Sequence, residues 1–289
     1  MTDHLLRPLA PIPDRAWELI DTEARERLTA NLAGRRLVDW AGPHGWTYSA
    51  TDLGRARPID NSAGAGEEVA QRTVLPVTEF RVPFTVSRAE IADAGRGASN
   101  LDLDDLVRAA GRAAECENAA ILDGRAAAGV VGIAEACAHS AMALGTNAND
   151  YPHVVAVAVD RLRRAGVDGP YALAIAPEGF TRIVETTEHG GHPLLDHLRQ
   201  ILGGEVVRAP GITGAVVLTR RGGDFELNMA QDLAIGYSAP RRADRPPVPG
   251  GGLHLPRGGA RRSGRADRLT GAHSCSLWRA RARRRPSSP

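Results

Sequence analysis

The chain has 289 residues, a formal net charge of +2, 43% hydrophobic residues and only 4% aromatic residues, so its core must be built from Ala, Val, Leu and Ile. This length allows one large domain or two smaller ones. No apolar run could span a membrane and no secretion signal precedes the first helix, which predicts a soluble, cytoplasmic protein without a membrane partner. Three cysteines at unrelated spacings argue against a disulfide framework and a zinc site.

The first predicted element is an amphipathic helix that begins at Pro13-Asp14 and ends at Gly34. Its apolar residues recur at helical spacing. They are Trp17, Ile20, Ala24, Leu28 and Leu32. Because the opposite face is charged, this helix needs a partner surface, either the body of its own chain or a neighbouring subunit.

Alternating polar and apolar residues predict a long two-stranded arm between Thr47 and Val77, with a flexible tip at residues 61–66. An isolated hairpin is marginal in water, so we expect the arm to pack on another subunit. A strand is predicted over residues 77–86, and Ser87 is expected to cap a short helix over residues 89–94.

Two further helices are predicted in the middle of the chain. The first covers residues 102–122 and ends at Gly124, and its many alanines permit close packing. The second covers residues 152–165. Its valines would also suit a strand, but its length and its terminal arginines favour a helix.

Strands and helices follow one another in the second half of the chain. Strands are predicted over residues 171–176 and 205–209, and helices over residues 177–185 and 194–202. The whole pattern is typical of a mixed α+β protein.

The best-defined stretch of the sequence lies after these elements. Residues 215–219 and 225–229, joined by the turn at Gly222-Gly223, are predicted to form a β-hairpin. A short strand over residues 233–236 is predicted to follow. Nothing in this stretch resembles a nucleophile, a metal site or a phosphate-binding loop, so it is interpreted as scaffold.

One cluster resembles a catalytic or metal site, and it comprises His189, His192, Asp196 and His197. Imidazole and carboxylate groups can bind Zn²⁺, but Pro193 separates the first two histidines from the third, which favours a polar loop that leads into a helix. No serine lies in a nucleophile motif. Of the glycine-rich turns, the one at residues 64–66 is followed by two glutamates that would repel phosphate, and the one at residues 221–223 joins two strands, whereas a phosphate site needs a helix N-terminus. We therefore predict no catalytic residues, no metal site and no cofactor.

Six motifs occur in order between about Leu6 and Tyr237. They are A-P-I-P-D-R-A-W-E-L-I, A-G-R-R-L-V-D, R-V-P-F-T-V-S-R-A-E-I, A-G-V-D-G-P-Y-A-L, E-H-G-G-H-P-L-L-D-H-L, and R-G-G-D-F-E-L followed by Q-D-L-A-I-G-Y. Together they resemble encapsulin shell proteins of the linocin type. Each motif alone is modest, but six in register are specific.

The resemblance implies the α+β fold of tailed-phage capsids, the HK97-type fold, in which many copies of the chain close into an icosahedral compartment. It also implies a division of the chain. The implied parts are an N-terminal helix and arm (1–46), an extended loop (47–78), a peripheral domain with a spine helix (79–132), an axial domain (133–209), return strands of the peripheral domain (210–237) and a tail (238–289).

The resemblance further implies a cargo. In the family the shell encloses an enzyme, often a dye-decolourising peroxidase or a ferritin-like protein, which is captured through a short C-terminal peptide. Docking involves the inner face of the N-terminal helix and nearby strands. In this sequence the corresponding residues are Leu28, Leu32, Arg35, Asp39 and Ile235.

A loop in the second half corresponds to the five-fold pore loop of the family. It comprises Glu188, His189, Gly190, Gly191 and His192. The resemblance implies a gate for small solutes, and the charge of its histidines would depend on pH. Some members bind flavin on an aromatic residue, but Ala89 stands at that place, so no flavin is expected.

The tail departs from the family after Tyr237. From Arg241 onward it has 13 Arg and 2 Asp, a charge of +11, whereas the preceding residues carry −9. Residues 247–256 can be encoded as CCT GTA CCT GGA GGA GGC CTT CAC CTT CCG, which one base later reads Leu-Tyr-Leu-Glu-Glu-Ala-Phe-Thr-Phe, the strand pattern of relatives. We infer a frameshift after Tyr237, in the gene or in its sequencing. The tail is then expected to be disordered and to leave a sheet edge unpaired.

Two alternatives to a shell protein stay open from the residues. An Arg-rich tail could package nucleic acid inside a capsid-like shell, but this depends on the tail alone, so no nucleic acid partner is predicted. A hydrolase, protease or bacteriocin-type activity lacks an assignable nucleophile. The predicted partners are therefore other copies of the chain and a cargo enzyme.

Overall fold

The computed structural model describes residues 4–59, 68–137, 139–188 and 190–238, together with the backbone of residues 275–277. The predicted tip of the arm and most of the tail lie outside these residues. Within them the chain forms the mixed α+β structure that the sequence predicts.

The predicted helices all form. In the described residues the helices are α1 (Asp14–Asn31), α2 (Arg88–Gly95), α3 (Asp104–Leu122), α4 (Ile133–Ala136), α5 (Tyr151–Arg164), α6 (Pro177–Glu185) and α7 (Leu194–Leu202). Ser87 Oγ accepts a hydrogen bond from Glu90 N at 3.1 Å, which confirms the predicted cap of α2. The α5 segment is a helix and not the alternative strand.

The end of α1 differs from the prediction. The helix ends at Asn31, and Gly34 lies in a separate turn of 3-10 helix. Gly34 is needed there for close approach, because a Cβ atom would lie 2.5 Å from Ile121 Cδ1 on α3. Gly34 N donates to Asn118 Oδ1 at 2.9 Å, which joins this turn to α3.

The strands form several small sheets. They are β1 (Asp39–Ala41), β2 (Ala50–Pro58), β3 (Ala70–Pro76), β4 (Thr78–Phe80), β5 (Gly124–Arg125), β6 (Val130–Val131), β7 (Tyr171–Ile175), β8 (Val206–Arg208), β9 (Ala215–Thr219), β10 (Glu226–Asn228) and β11 (Cys275–Leu277). Strand β7 lies between β8, which is parallel to it, and β9, which is antiparallel. The predicted strand over residues 77–86 is confirmed only for its first part, β4.

Three clusters of buried residues form the core of the described chain, and the long helix α3 contributes to two of them. On one side α1 and α2 pack on the N-terminal half of α3 through Ile20, Leu28, Ile91 and Leu106, all of which are buried. In the second half of the chain, α5, α6 and α7 cover the sheet of β7, where every residue of the central strand is buried. Short alanine side chains on α3 allow its close contact with α1 and α2.

The two-stranded arm is confirmed. Strands β2 and β3 pair antiparallel, with a register shift between Asp52 and Arg55. Most of its side chains are exposed, and these include the large apolar residues Ile59, Val69 and Val74. Within this chain the arm therefore leaves apolar surface uncovered.

The predicted hairpin is wrong in its pairing. Both of its strands form, and Gly222 and Gly223 have the positive φ angles of a turn. However, β9 pairs with β7, whereas β10 pairs parallel with β1, a strand that the sequence did not predict. Leu227 of β10 is buried in the core beside α3, so packing between distant segments decides the pairing.

The tail contributes one strand to the fold. Strand β11 pairs antiparallel with β4, so that Phe80 is opposite Cys275 and Thr78 is opposite Leu277. The same segment lies against α3 and β10. Strand β4 therefore has a partner from the tail, and the disorder predicted for the tail is wrong for these three residues.

Candidate functional site

An open groove runs along α1. Its volume is about 360 Å³, and one side is α1 while the other is the segment after β10. We call residues 232–237 of that segment the wall segment. The apolar side chains that line the groove are Ala24, Leu28, Leu32, Leu233, Ala234 and Ile235, and the polar ones are Arg7, Asp21, Arg25, Thr29, Arg35 and Asp232.

The structure brings together four of the five residues that the sequence analysis assigned to docking. Leu28, Leu32, Arg35 and Ile235 all line this groove. Leu28 is 7% exposed and Ile235 5% exposed, so they form its floor, and Leu32 is half-buried at its edge.

Asp39 lies elsewhere. It is the first residue of β1, and its carboxylate accepts a hydrogen bond from Gly223 N in the turn between β9 and β10. It does not line the groove beside α1. Its local role is to hold that turn against β1.

The wall segment forms no strand and pairs with none of the strands that the structure describes, so the predicted strand over residues 233–236 is wrong. Its backbone is held by other groups. Tyr237 N donates to Leu5 O at 2.7 Å, and Leu233 N donates to Asp232 Oδ1 at 2.7 Å. A Cβ atom on Gly236 would lie 2.7 Å from Leu5 O, so glycine permits this close approach of two backbones.

Arg35 joins one end of the wall segment to α3. Its guanidinium makes two hydrogen bonds to the Glu117 carboxylate, at 2.5 and 2.7 Å, and one to Asp232 Oδ1 at 2.8 Å. The guanidinium also lies 4.6 Å from the ring centroid of Trp40. Glu117 is fully buried, so Arg35 supplies the charge that makes its burial tolerable.

Arg7 joins the other end of the wall segment to α1. Its Nε donates to Ile235 O at 2.7 Å, and its two terminal nitrogens donate to the Asp21 carboxylate at 2.8 and 2.6 Å. Its guanidinium lies 4.4 Å from the centroid of Trp17. Each end of the wall segment is thus attached by an arginine that stacks on a tryptophan.

The loop assigned to the pore is compact. Glu188 N donates to His192 O and Gly191 N donates to Glu188 O, each at 2.9 Å. The Glu188 carboxylate contacts His197 Nδ1 of α7 at 2.9 Å. Gly190 and Gly191 have positive φ angles, which a turn this tight favours in glycine.

Of this loop, His192 is exposed, and His189 lies outside the described residues. Within the described ranges, no group of three or more His, Cys, Asp or Glu side chains could hold a metal ion. None of the helices that the structure describes has the length and apolar character needed to cross a membrane.

Several groove residues were missed by sequence reasoning. Arg7, Asp21 and Asp232 are distant in the chain, and no spacing rule connects them. The one indication is Q-D-L-A-I-G-Y, the motif that contains Asp232 and the rest of the wall segment. It was assigned to a strand because of its apolar residues.

The order of these elements is that of a capsid protein. The structure aligns with the virus-like particle from Pyrococcus furiosus, with a TM-score of 0.57 and 12% identity, over 92% of this chain and 94% of that chain. An alignment at this identity establishes the fold alone. The α+β, HK97-type capsid fold implied by the sequence motifs is confirmed.

Sequence comparison gives the family. The model of the family Linocin_M18, described as encapsulating protein for peroxidase, matches residues 1–244. The type 1 encapsulin shell protein of Rhodospirillum rubrum is 44% identical over 240 residues, which cover 81% of this chain and 86% of that protein. The one from Brevibacterium linens is 43% identical over 236 residues, which cover 81% and 88%. The chain belongs to the linocin-type family of encapsulin shell proteins.

Family and fold together define a structural protein. The relatives are named as shell proteins, and the chain shares their family and the capsid fold. The groove beside α1 is then a feature of a shell subunit, and its occupant has to be sought among the molecules that a shell meets.

Proposed function

We propose that the shell encloses a cargo enzyme, a dye-decolourising peroxidase or a ferritin-like protein, held by its C-terminal peptide in the groove beside α1. The family description names a peroxidase as what is encapsulated. The groove supports the proposal because it combines a floor of leucine and isoleucine with charged groups along its sides. An extended peptide with alternating apolar and polar residues fits such a surface.

The single observation that carries this proposal is the convergence of Leu28, Leu32, Arg35 and Ile235 on one groove. These residues come from segments about two hundred positions apart in the chain.

The test is cargo loading. Green fluorescent protein that carries the C-terminal peptide of a dye-decolourising peroxidase is co-expressed with the shell, and fluorescence per particle is measured. Leu32→Asp places a charge on the apolar side of the groove and is expected to lower loading at least about tenfold. Ala30→Asp is the matched control, since Ala30 is exposed on the same helix and does not line the groove.

Leu28→Asp serves as a second variant, with particle sizing to show that the shell still assembles. Normal loading of Leu28→Asp and Leu32→Asp shells would contradict the proposal. Equal losses in the Ala30→Asp control would also contradict it, because the effect would then come from α1 as a whole.

We also propose that the arm of β2 and β3 packs on a neighbouring subunit, within the division into peripheral and axial domains that the family implies. Its exposed residues Ile59, Val69 and Val74 support this, since a second copy would cover them. Val74→Asp is expected to reduce the yield of closed particles, measured by electron microscopy. Undiminished assembly would contradict this part.

The loop of residues 188–192 is proposed to line a pore. Its support is the exposed, tightly turned tip at Gly190 and Gly191, anchored by Glu188 to His197 of α7. Glu188→Gln weakens the anchor and is expected to change the rate at which a small substrate reaches an enclosed peroxidase. An unchanged entry rate, with the same enzyme free in solution as the reference, would contradict this role.

A further inference from the structure

We infer that Arg7 and Arg35 act as positioning residues, which set the width of the groove by holding its wall segment at both ends. Neither needs to contact cargo for this. That the groove width affects cargo docking rests on the proposed function, whereas the positioning of the wall segment by the two arginines does not.

The wall segment needs such support because, in the part of the chain that the structure describes, its backbone forms no ladder of hydrogen bonds with a strand. In a sheet, the position of a segment is fixed by backbone groups and tolerates most side-chain changes. Here the position depends on individual side chains. Arg7 holds Ile235 O, and Arg35 holds Asp232 through a charged pair.

Each arginine is itself held in place by residues outside the wall segment. Arg7 is held by Asp21 of α1 and by stacking on Trp17. Arg35 is held by Glu117 of α3 and by stacking on Trp40. A planar guanidinium can bind a carboxylate with two donors and still present a further donor to the wall, which a lysine ammonium cannot do in this geometry.

The N-terminal segment takes part in this arrangement. Leu5 O accepts the hydrogen bond from Tyr237 N only two residues before Arg7, so residues 5–7 contact the wall segment twice. Residues 5–7 precede α1, and Leu28 of α1 and Leu32 just after it form the other side of the groove. Displacement of this segment would therefore release the wall segment and widen the groove.

The first test uses assembled, empty shells and hydrogen exchange. Arg7→Lys keeps the charge but loses the combined contacts, and Asp232→Asn removes the charge pair with Arg35 while leaving buried Glu117 paired. In both variants the backbone amide hydrogen of Tyr237 or Leu233 is expected to exchange with solvent about tenfold faster than in the parent. Arg25→Lys is the control, since Arg25 lines the groove but makes no ion pair among the described residues.

The second test measures the affinity of the same shells for a fluorescent copy of the peroxidase C-terminal peptide. Arg7→Lys and Asp232→Asn are expected to weaken peptide binding about tenfold. The control Arg25→Lys is expected to leave hydrogen exchange in the wall segment unchanged. Unchanged exchange in both variants would overturn the inference, whatever the affinity.

The two proposals fail in different ways. Faster exchange with unchanged affinity would overturn the link between wall position and docking. Failure of the parent shell to bind the peptide would contradict the proposed function, and the exchange rates would then decide by themselves whether the arginines hold the wall segment.

Discussion

The sheet of β7 and the wall segment show two ways to fix an apolar stretch of chain. Strand β7 is buried at all five positions and is bonded along both edges, by β8 and by β9. The wall segment is also apolar, but it is held by arginines and by the N-terminal segment. An apolar pattern alone therefore does not decide whether a segment becomes a strand.

The difference lies in which groups carry the hydrogen bonds. In β7 the backbone supplies both donor and acceptor, so side chains there contribute mainly through packing. In the wall segment the charged side chains of Arg7 and Arg35 supply donors, and one backbone hydrogen bond, from Tyr237 N to Leu5 O, is added to them. We therefore expect substitutions near β7 to change the stability of the whole subunit, and substitutions at the wall to change the groove.

The largest expected effect is that of Arg35→Ala, a substitution beside the wall segment that should nevertheless change the stability of the whole subunit. The substitution leaves the Glu117 carboxylate buried without its cation, and we expect a loss of about 3–5 kcal/mol in the free energy of unfolding. Chemical denaturation of the subunit measures it. Asp232→Asn, at the exposed end of the same arginine, is expected to cost less than about 1 kcal/mol. Equal losses would show that Glu117 is not the dominant partner.

Leu173→Ala tests the sheet side of the comparison. Leu173 is 1% exposed in β7, and its truncation leaves a cavity between the sheet and the helices that cover it. The expected loss is about 2–5 kcal/mol, measured by denaturation. Val184→Ala, at a side chain that is 57% exposed on α6, is the control and is expected to change stability by less than about 0.5 kcal/mol. A small effect of Leu173→Ala would contradict the assigned core.

The tail offers a third, smaller change. Replacing the residues after Pro246 with a segment that begins Leu-Tyr-Leu-Glu-Glu-Ala-Phe-Thr-Phe restores the inferred reading frame. We expect a gain of at least about 2 kcal/mol, because a longer apolar strand would cover the edge of β4 that β11 covers with three residues. Thermal unfolding and particle sizing of both chains measure it. Identical stability and identical particles would contradict the frameshift inference.

The smallest expected effect concerns Asp123, at the end of α3. Burial raises the pKa of its carboxyl, partly offset by a hydrogen bond from Thr213 N. A raised pKa means that the folded chain disfavours the charged carboxylate. The stability that the neutral carboxyl contributes is therefore present below the pKa of Asp123 in the unfolded chain, and it is lost as the pH rises through its pKa in the folded chain. Asp123→Asn should therefore unfold at a slightly higher temperature than the parent at neutral pH. The difference should disappear near pH 4, and a constant difference would contradict this assignment.

Elements defined by local patterns could be predicted from the sequence. Helix α6 begins at Pro177, α2 is capped by Ser87, and the arm has its expected two strands. Each depends on residues within a few positions of one another. The pairing of β10 with β1 could not be predicted in this way, since it joins segments that are far apart and depends on burial beside α3.

The candidate site shows the same limit. Resemblance to the family led to Leu28, Leu32, Arg35 and Ile235, which the structure brings to one groove, but also to Asp39, which it places at another turn. The contacts of Arg7 could not be read from the sequence, because they depend on three segments that meet only in the folded chain.

Cryo-electron microscopy of particles loaded with the peptide-tagged fluorescent protein tests the central claim most directly. We expect closed shells with additional density along α1, between Leu28 and the wall segment, that is absent from empty shells. Closed and loaded shells in which this groove is empty, with density elsewhere on the inner surface, would contradict the account.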